Sequence, residues 1–349
     1  MITATQTEDA ELQTPDSPYD AIVIVSFGGP EGMEDVIPFL ENVLRGRNVP
    51  RERMLGVAKH YELFGGVSPI NAENRKLIAE LGKLLQSRGP HLPIYFGNRN
   101  WHPMLADTLR KMRDDGVKNA LAFVTSAYSS YSSCRQYLED IEGARKAVGP
   151  DAPRVEKLRA FYNHPGFIEA NVANVRAALE QIPEGRRSQT RIAFTAHSIP
   201  QSMARNCDYK AQLQETGSLI SDRLGIKNWR LVFQSRSGPP TQPWLGPDVR
   251  DHLRELKAGG ARDVVVAPIG FVSDHMEIIY DLDTEAKALC GELGLNMVRA
   301  ATAGAHPAFA EMIQELIIER MDPQTRRRSL GTNGPRSYLC PPGCCSMSQ

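Results

Sequence analysis

The sequence predicts an α/β protein of two lobes, each with a parallel sheet flanked by helices. Short apolar runs rich in β-branched residues recur along the 349 residues, as expected for strands buried on both faces. Segments with helical spacing of apolar residues separate these runs, which is typical of parallel sheets. The runs form two sets, one on each side of residues 156–165. Because ligands of such sheets bind beyond the carboxyl ends of the strands, the residues after each run are the functional candidates.

In the first set, each predicted strand is followed by glycine or polar residues and then by a helical pattern. Gly28-Gly29-Pro30 ends the first strand in this way. The predicted strands and the helices that follow them cover residues 21–27 and 31–44, 92–97 and 104–114, and 119–125 and 134–147.

The second set contains three more predicted strands, over residues 190–196, 229–234 and 263–268. A helix is expected from Asp274 onward. We expect four segments in all: a disordered leader over residues 1–17, an N-terminal lobe over 18–165, a C-terminal lobe over 166–321 and a cysteine-containing tail over 322–349. The last helix of the second lobe can pack back on the first.

Composition excludes several classes of protein. Lys+Arg and Asp+Glu both number 41, and this balance argues against a nucleic-acid partner. No apolar run reaches the roughly 18 residues of a transmembrane segment. The N-terminus lacks the basic and apolar regions of a signal peptide, so we expect a cytoplasmic enzyme. In that compartment the six cysteines favour metal binding or redox chemistry over disulfides.

His197 directly follows a predicted strand, in Thr-Ala-His-Ser-Ile-Pro. A histidine at the carboxyl end of a strand can accept a proton near neutral pH, although it can equally serve to hydrogen-bond a loop. After the next strands, Glu277, Asp281 and Glu285 are spaced so that a helix would align them in one carboxylate stripe. Such a stripe is either a solvated helix face or a place where a divalent cation relieves the repulsion.

The segment over residues 44–53 is basic and loop-like. It precedes His60, Tyr61 and a Gly-Gly-Val-Ser-Pro stretch that contains Ser68. Arginines and hydroxyls in a mobile loop above a cleft suit carboxylate recognition. A solvated basic loop is the alternative interpretation.

Several motifs, in this order, resemble the ferrochelatase family from about residue 19 to about residue 321. The resemblance is carried by Ser-Phe-Gly-Gly-Pro (26–30), Phe-Gly-Gly-Val-Ser-Pro-Ile-Asn (64–71), Thr-Ala-His-Ser-Ile-Pro (195–200), Phe-Gln-Ser-Arg (233–236) and Gly-Phe-Val-Ser-Asp-His-Met-Glu (270–277). It is closest to the actinobacterial type, which acts on coproporphyrin III. The resemblance implies two Rossmann-like, chelatase-like lobes that hold a porphyrin in the cleft between them while Fe²⁺ is inserted.

The resemblance also implies roles for individual residues. The catalytic histidine of the family matches His197, its opposing glutamate matches Glu277, and both are expected to contact the substrate Fe²⁺. Its acids along the delivery route match Asp281 and Glu285. Expected contacts to the porphyrin are Phe27, where some bacterial relatives carry tyrosine, and Arg45, Arg47, Tyr61, Ser68 and Tyr128. His60 stands where some relatives carry arginine.

The tail resembles that of family members with a [2Fe–2S] cluster, which use one upstream cysteine and three near the C-terminus. The matching residues here are Cys134, Cys340, Cys344 and Cys345. Four thiolates satisfy such a cluster, which would bond the polar tail to the body and help to order it. A zinc site, a reduced disordered tail and a vicinal disulfide are the alternatives. Cys207 and Cys290 are expected to be ordinary free thiols.

These features predict an enzyme that inserts ferrous iron into a porphyrin in haem biosynthesis, most simply coproporphyrin III to give coproheme. The alternatives are a protoporphyrin IX ferrochelatase, a cobalt or nickel chelatase of another tetrapyrrole pathway, and a carrier that binds porphyrin or haem without turnover. A carrier does not need the acid stripe beside His197. The expected partners are the porphyrin and Fe²⁺, and bacterial relatives suggest a monomer.

Overall fold

The structure is a computed structural model that describes residues 18–239, 241–340 and 343–345. The expected leader over residues 1–17 lies outside the described residues. Within the described residues, no helix combines the length and the apolar character that crossing a membrane requires.

Strands and helices alternate through both halves of the chain. In the first half they are β1 (Ala21–Ser26), α1 (Met33–Val43), α2 (Arg51–Glu62), α3 (Ile70–Arg88), β2 (Ile94–Asn98), α4 (Leu105–Asp114), β3 (Asn119–Val124), a first π-helix (Tyr131–Arg135), α5 (Gln136–Val148) and β4 (Arg154–Lys157). In the second half they are α6 (Pro165–Glu180), α7 (Glu184–Arg187), β5 (Arg191–His197), α8 (Gln201–Ala204), α9 (Tyr209–Leu224), β6 (Trp229–Gln234), α10 (Val249–Ala258), β7 (Asp263–Ala267), α11 (Met276–Tyr280), a second π-helix (Asp281–Ala286), α12 (Lys287–Leu293), β8 (Asn296–Arg299) and α13 (Pro307–Met321).

The strands form two four-stranded sheets with the orders β2-β1-β3-β4 and β6-β5-β7-β8. All neighbouring strands are parallel in both sheets. The predicted fold class is therefore confirmed, and the two lobes repeat one strand order. The first strand of each lobe is central, so its carboxyl end lies in the middle of the sheet edge where ligands bind.

One apolar core joins the lobes. It contains fully buried side chains from both sheets, such as Ile24 of β1 and Phe194 of β5, together with Phe167 of α6 and Phe309 of α13. Helix α13 follows the last strand of the second lobe but packs on α3 of the first lobe as well as on α6. Because both lobes share this core, packing holds their carboxyl edges beside each other.

The sequence pattern missed the strands β4 and β8. Each is the last strand of its sheet and has only four residues, which are exposed or half-buried. Charged residues such as Glu156 and Arg299 interrupt the apolar pattern there. Edge strands commonly carry charges, because charges discourage pairing with another chain, and a search for buried apolar runs passes over them.

Part of the basic segment over residues 44–53 is helical rather than loop-like. The turn after α1 ends at Pro50, and α2 begins at Arg51. Pro50 precedes the first turn of the helix, where the missing amide hydrogen of a proline costs nothing. Arg51 and Arg53 thus lie on a helix, while Arg45 and Arg47 remain in the turn.

Polar contacts anchor the start of the tail to the body. Buried Arg159 forms an ion pair of 2.7 Å with Glu319 of α13, and its Nη2 donates to the carbonyl of Arg328 at 2.7 Å. The amide of Asn163 donates to the carbonyl of Gly334 at 2.9 Å. The tail up to Tyr338, whose hydroxyl donates to Glu319, is therefore held by the protein itself and needs no metal to dock.

Candidate active site

The carboxyl ends of the second sheet bring the polar residues of the site together. His197 ends β5 and lies in register with Gln234, which ends β6. The neighbouring strand β7 leads through a short loop to α11, whose second residue is Glu277. Three segments that are distant in sequence therefore converge at one sheet edge.

His197 and Glu277 form an ion pair that is open to solvent. The imidazole Nε2 lies 3.4 Å from Glu277 Oε1, and the side chains are 31% and 42% exposed. The other carboxylate oxygen of Glu277 lies 3.4 Å from Nε2 of His275. The Nδ1–H of His197 donates to the carbonyl of Ser198 at 2.5 Å. Both predicted catalytic residues thus come from the second lobe, and they touch each other rather than occupying opposite walls.

The pair favours the charged form of both groups. Burial lowers the pKa of His197, but the charge and the hydrogen bond of Glu277 outweigh it and raise this pKa to about 9. Burial likewise raises the pKa of Glu277, but His197 and then His275 hold it well below its usual range. Without a metal ion the site therefore stores one proton on an imidazole that is paired with a carboxylate.

The three acids continue away from this pair, but not on one regular α-helix. Glu277 lies on α11, whereas Asp281 and Glu285 lie on the second π-helix. The α-helical stripe expected from the sequence is wrong in this respect. The wider turn of a π-helix arises when a side chain or a different hydrogen bond interrupts the helical ladder, and such turns are frequent at functional sites.

The acids influence each other electrostatically. Burial, followed by the charges of Glu277 and Glu285, raises the pKa of Asp281 to about 6 although the Ser235 hydroxyl donates to it. Glu285 is paired with Arg250 at 3.3 Å. A cation that binds beside Asp281 would relieve this repulsion. The arrangement therefore suits the transfer of a divalent ion toward Glu277.

The first lobe supplies an apolar wall beside the ion pair. Phe39 makes edge-to-face contacts with Phe27, Tyr61 and Trp101. Met276, Ile279 and Tyr280 from the second lobe pack in the same cluster. Burial, together with the charge of Glu277, raises the pKa of Tyr61 well above its usual value, so this wall lies next to the carboxylate. A flat apolar ligand can therefore contact the wall and the ion pair together.

The other residues predicted to contact the porphyrin lie at different depths. Arg45 and Arg47 are exposed in the turn after α1, and neighbouring Leu44 packs on the apolar wall. Ser68 is buried, at 4% exposed. Tyr128 is 1% exposed, and its hydroxyl donates to the carbonyl of Ile269 at 2.8 Å. In this structure Tyr128 supports the second lobe and presents no surface to a ligand in the cleft, since its ring and hydroxyl are both enclosed.

Three residues near the site were not assigned roles from the sequence. His275 contacts Glu277, and Gln234 and Ser235 contact Asp281. All three lie inside motifs that were recognised, so their proximity to His197 and Glu277 in those motifs was the available signal. His60 also stacks on Tyr280 across the lobes, with ring centroids 3.7 Å apart and planes 9° apart.

The tail cysteines form two pairs of thiols. Cys134 of the first π-helix accepts a hydrogen bond from Cys340, and this contact, together with Lys157, lowers the pKa of the Cys134 thiol although burial opposes the shift. The sulfurs of Cys344 and Cys345 lie 3.6 Å apart. Among the described residues, no three or more His, Cys, Asp or Glu side chains are already arranged to hold one metal ion.

Cys207 also lies near the tail. It lines a cavity of about 420 Å³ together with Cys344, Cys345 and Arg336. The expectation of an isolated thiol is therefore wrong for Cys207. The mature position of the tail brings it close, and nothing in the spacing of the cysteines indicates this.

Comparisons with known proteins agree with this geometry. The family model described as Ferrochelatase matches residues 19–321. The chain is 56% identical to a "Ferrochelatase" of Rhodopirellula baltica over 329 residues, covering 94% of this chain and 93% of that protein. It is 50% identical to a "Coproporphyrin III ferrochelatase" of Streptomyces coelicolor over 351 residues, covering 94% of each chain.

Solved structures share the fold at low sequence identity. The sirohydrochlorin chelatase SirB of Bacillus subtilis subspecies spizizenii, in complex with cobalt, matches with a TM-score of 0.50 and 13% identity, over 86% of this chain and 94% of that chain. A multi-domain protein of Deinococcus radiodurans with structural similarity to chelatases has a TM-score of 0.52 and 16% identity, over 86% of this chain and 55% of that chain. These likenesses establish the two-lobed chelatase fold.

Proposed function

Because the chain belongs to the ferrochelatase family and is an enzyme that inserts iron into a porphyrin in haem synthesis, we propose that its porphyrin is coproporphyrin III and its product coproheme. The observation that carries the proposal is the solvent-open His197–Glu277 pair beside an apolar wall. The name of the Streptomyces coelicolor relative supports coproporphyrin III as the substrate.

The charges near the wall also support a porphyrin with four propionates. Arg45 and Arg47 are exposed in the turn whose Leu44 packs on the wall. Arg51 follows at the start of α2, where its side chain is 72% exposed and lies 3.8 Å from Glu41. Exposed guanidinium groups bind carboxylates through paired hydrogen bonds. A tetrapropionate porphyrin offers more such partners than protoporphyrin IX does.

We infer that His197 receives protons from the pyrrole nitrogens. Metallation removes two N–H protons, and a base must lie beside the macrocycle to accept them. The hydrogen bond from Nδ1 to Ser198 fixes the tautomer, so Nε2 is the nitrogen that gains and loses the proton. Binding of Fe²⁺ to Glu277 would cancel the charge that raises the pKa of His197, and would thereby free Nε2 to act as a base.

The acids complete this sequence of events. Asp281 and Glu285 attract the hydrated cation, and Glu277 offers oxygen ligands as water leaves. The aromatic wall holds the macrocycle against the pair, where distortion exposes the nitrogen lone pairs. Iron thus reaches Glu277 along carboxylates, while His197 accepts protons at the same position.

Anaerobic incubation with Fe²⁺ and coproporphyrin III tests the proposal against its alternatives. We expect rapid appearance of coproheme, and slower reactions with Co²⁺ or Ni²⁺. A carrier would bind the porphyrin without forming product. A cobalt or nickel chelatase would prefer one of those ions over Fe²⁺, and either outcome would contradict the proposal.

Neutralising Arg45 is expected to weaken porphyrin binding. A charge-assisted hydrogen bond contributes about 1.5–3 kcal/mol, so Arg45→Gln should raise the dissociation constant of coproporphyrin III by about tenfold to a hundredfold. Fluorescence titration measures this change. Arg254→Gln is the matched control, because Arg254 is an exposed cation paired with Asp251 on α10. Equal affinities of the Arg45 variant and the wild type would reject a role for this turn.

We further propose that Cys134, Cys340, Cys344 and Cys345 hold a [2Fe–2S] cluster. Thiolates about 2.3 Å from a tetrahedral metal lie about 3.8 Å apart, close to the 3.6 Å between Cys344 and Cys345. The other two thiols form a second pair, and each iron of such a cluster takes two thiolates. Lys157 and Arg336, which lower the pKa of Cys134, offset the negative charge of the thiolates. The donor set therefore fits the cluster.

The cluster proposal predicts a coloured protein with bound iron and sulfide. Protein purified without oxygen should be reddish-brown and contain about two irons with matching acid-labile sulfide. Cys134→Ser should remove the visible absorption and the iron. Cys290→Ser is the matched control, because Cys290 is buried in the core of the second lobe. One zinc per chain, or no metal in protein made with ample iron, would contradict the proposal.

A further inference from the structure

Gln234 connects the strand edge that carries His197 to the helix that carries the acids. Its side chain is buried, at 1% exposed, and its Nε2 donates to the carbonyl of Glu277 at 2.9 Å. The same nitrogen lies 3.4 Å from Oδ2 of Asp281. A side-chain donor therefore reaches the helix one turn before Asp281, where the ladder widens into the π-helix.

Ser235 adds a second donor to the same carboxylate. Its hydroxyl donates to Oδ2 of Asp281. Its φ is +59°, in the left-handed region that non-glycine residues seldom adopt and that costs on the order of 1–2 kcal/mol. Glycine would adopt this backbone without strain but would lack the hydroxyl. Its contact with Asp281 therefore gives a reason for serine at this position.

These donors leave one side of the carboxylate for a cation. In the described part of the chain, the hydrogen bonds to Asp281 from Gln234 and Ser235 both reach Oδ2. Oδ1 is thus the oxygen left to ligate an ion. The carbonyl oxygen of Gln234 is buried and has no partner within the described residues, so it is available to accept a hydrogen bond from water that an ion carries.

We propose that Gln234 and Ser235 are positioning residues that orient Asp281 for capture of Fe²⁺. This inference rests on the proposed delivery route. The two side chains touch neither wall residues nor His197 through their side-chain hydrogen bonds, but they fix the distance between the His197 strand and the acid-bearing helix. Their loss should therefore weaken metal capture, while porphyrin binding and the maximal rate change little.

Ser235→Ala and Ser235→Gly together test the proposal. Ala removes the hydroxyl and keeps the strain, whereas Gly removes both. We expect each to raise the KM for Fe²⁺ by about tenfold, with the KM for porphyrin and kcat within about threefold of wild type. Gln234→Met, which keeps the length but removes the donor, should act in the same direction. Ser237→Ala is the matched control, because Ser237 is an exposed serine of the same loop.

A double-mutant cycle identifies the residue through which Ser235 acts. In an Asp281→Asn background, Ser235→Ala should have no further effect on the KM for Fe²⁺. A full additional effect would overturn the proposal, and so would a wild-type KM in both Ser235 variants. Titration of porphyrin-free protein with Co²⁺, followed by visible absorption, measures capture without turnover. An inactive wild type would instead refute the proposed function, whereas an active wild type with unchanged variants refutes this inference alone.

Discussion

His197→Ala should reduce iron insertion by a factor of about a thousand or more. The change removes the base that receives the pyrrole protons, and general-base catalysis contributes about 10²–10⁴-fold. It also leaves Glu277 without its ion-pair partner at 3.4 Å. The side chain is 31% exposed and lies at a strand end, so its loss opens no cavity in the core. Initial rates of coproheme formation under anaerobic conditions measure the effect.

Two measurements separate loss of chemistry from loss of folding. The variant should keep the thermal unfolding midpoint of the wild type within a few degrees and should still bind coproporphyrin III. His91→Ala is the matched control, because His91 is exposed before β2, at the amino end of the first sheet. Near-wild-type turnover by His197→Ala would remove His197 from the mechanism.

Glu277→Gln should have the second-largest effect, lowering kcat by about a hundredfold. The amide keeps the shape of the side chain but cannot neutralise Fe²⁺ or hold the proton on His197, because it carries no charge. Asp281→Asn and Glu285→Gln should act mainly on the KM for Fe²⁺, each by about tenfold, since they lie farther along the route. Steady-state kinetics with Fe²⁺ varied at saturating porphyrin distinguish these patterns.

The graded effect is the informative part of this series. Asp283→Asn is the matched control, because Asp283 lies on the same π-helix but pairs with Arg299 at 2.7 Å. It should leave the KM for Fe²⁺ unchanged. Equal losses at Glu277, Asp281 and Glu285, or a principal effect on porphyrin affinity, would contradict a delivery route.

The interior of the fold was predictable because hydrophobic burial determines it. The central strands β1, β3, β5 and β7 are apolar on both faces, and their patterns marked them in the sequence. The edge strands β4 and β8 have one exposed side and carry charges, so no local pattern distinguished them from loops. The anchoring of the tail by Arg159 and Glu319 joins residues 160 positions apart, which spacing along the chain cannot reveal.

The site was predictable in outline but not in its contacts. A histidine and a glutamate after parallel strands indicated a shared sheet edge, and the structure places His197 and Glu277 there. The helix period predicted an α-helical stripe, whereas the side chain of Gln234 reaches the carbonyl of Glu277 where a π-helix begins. Long-range hydrogen bonds of this kind depend on tertiary packing, so the local sequence pattern carried no sign of them.

A competition assay tests the central claim most directly. Wild-type protein is mixed without oxygen with limiting Fe²⁺ and equal concentrations of coproporphyrin III and protoporphyrin IX, and the haem products are separated by chromatography. We expect coproheme to be the dominant product in wild type, and no haem above the uncatalysed rate with His197→Ala. Equal or preferential formation of protohaem would contradict coproporphyrin III as the substrate. Porphyrin binding with no haem product at all would contradict iron insertion by the His197–Glu277 site.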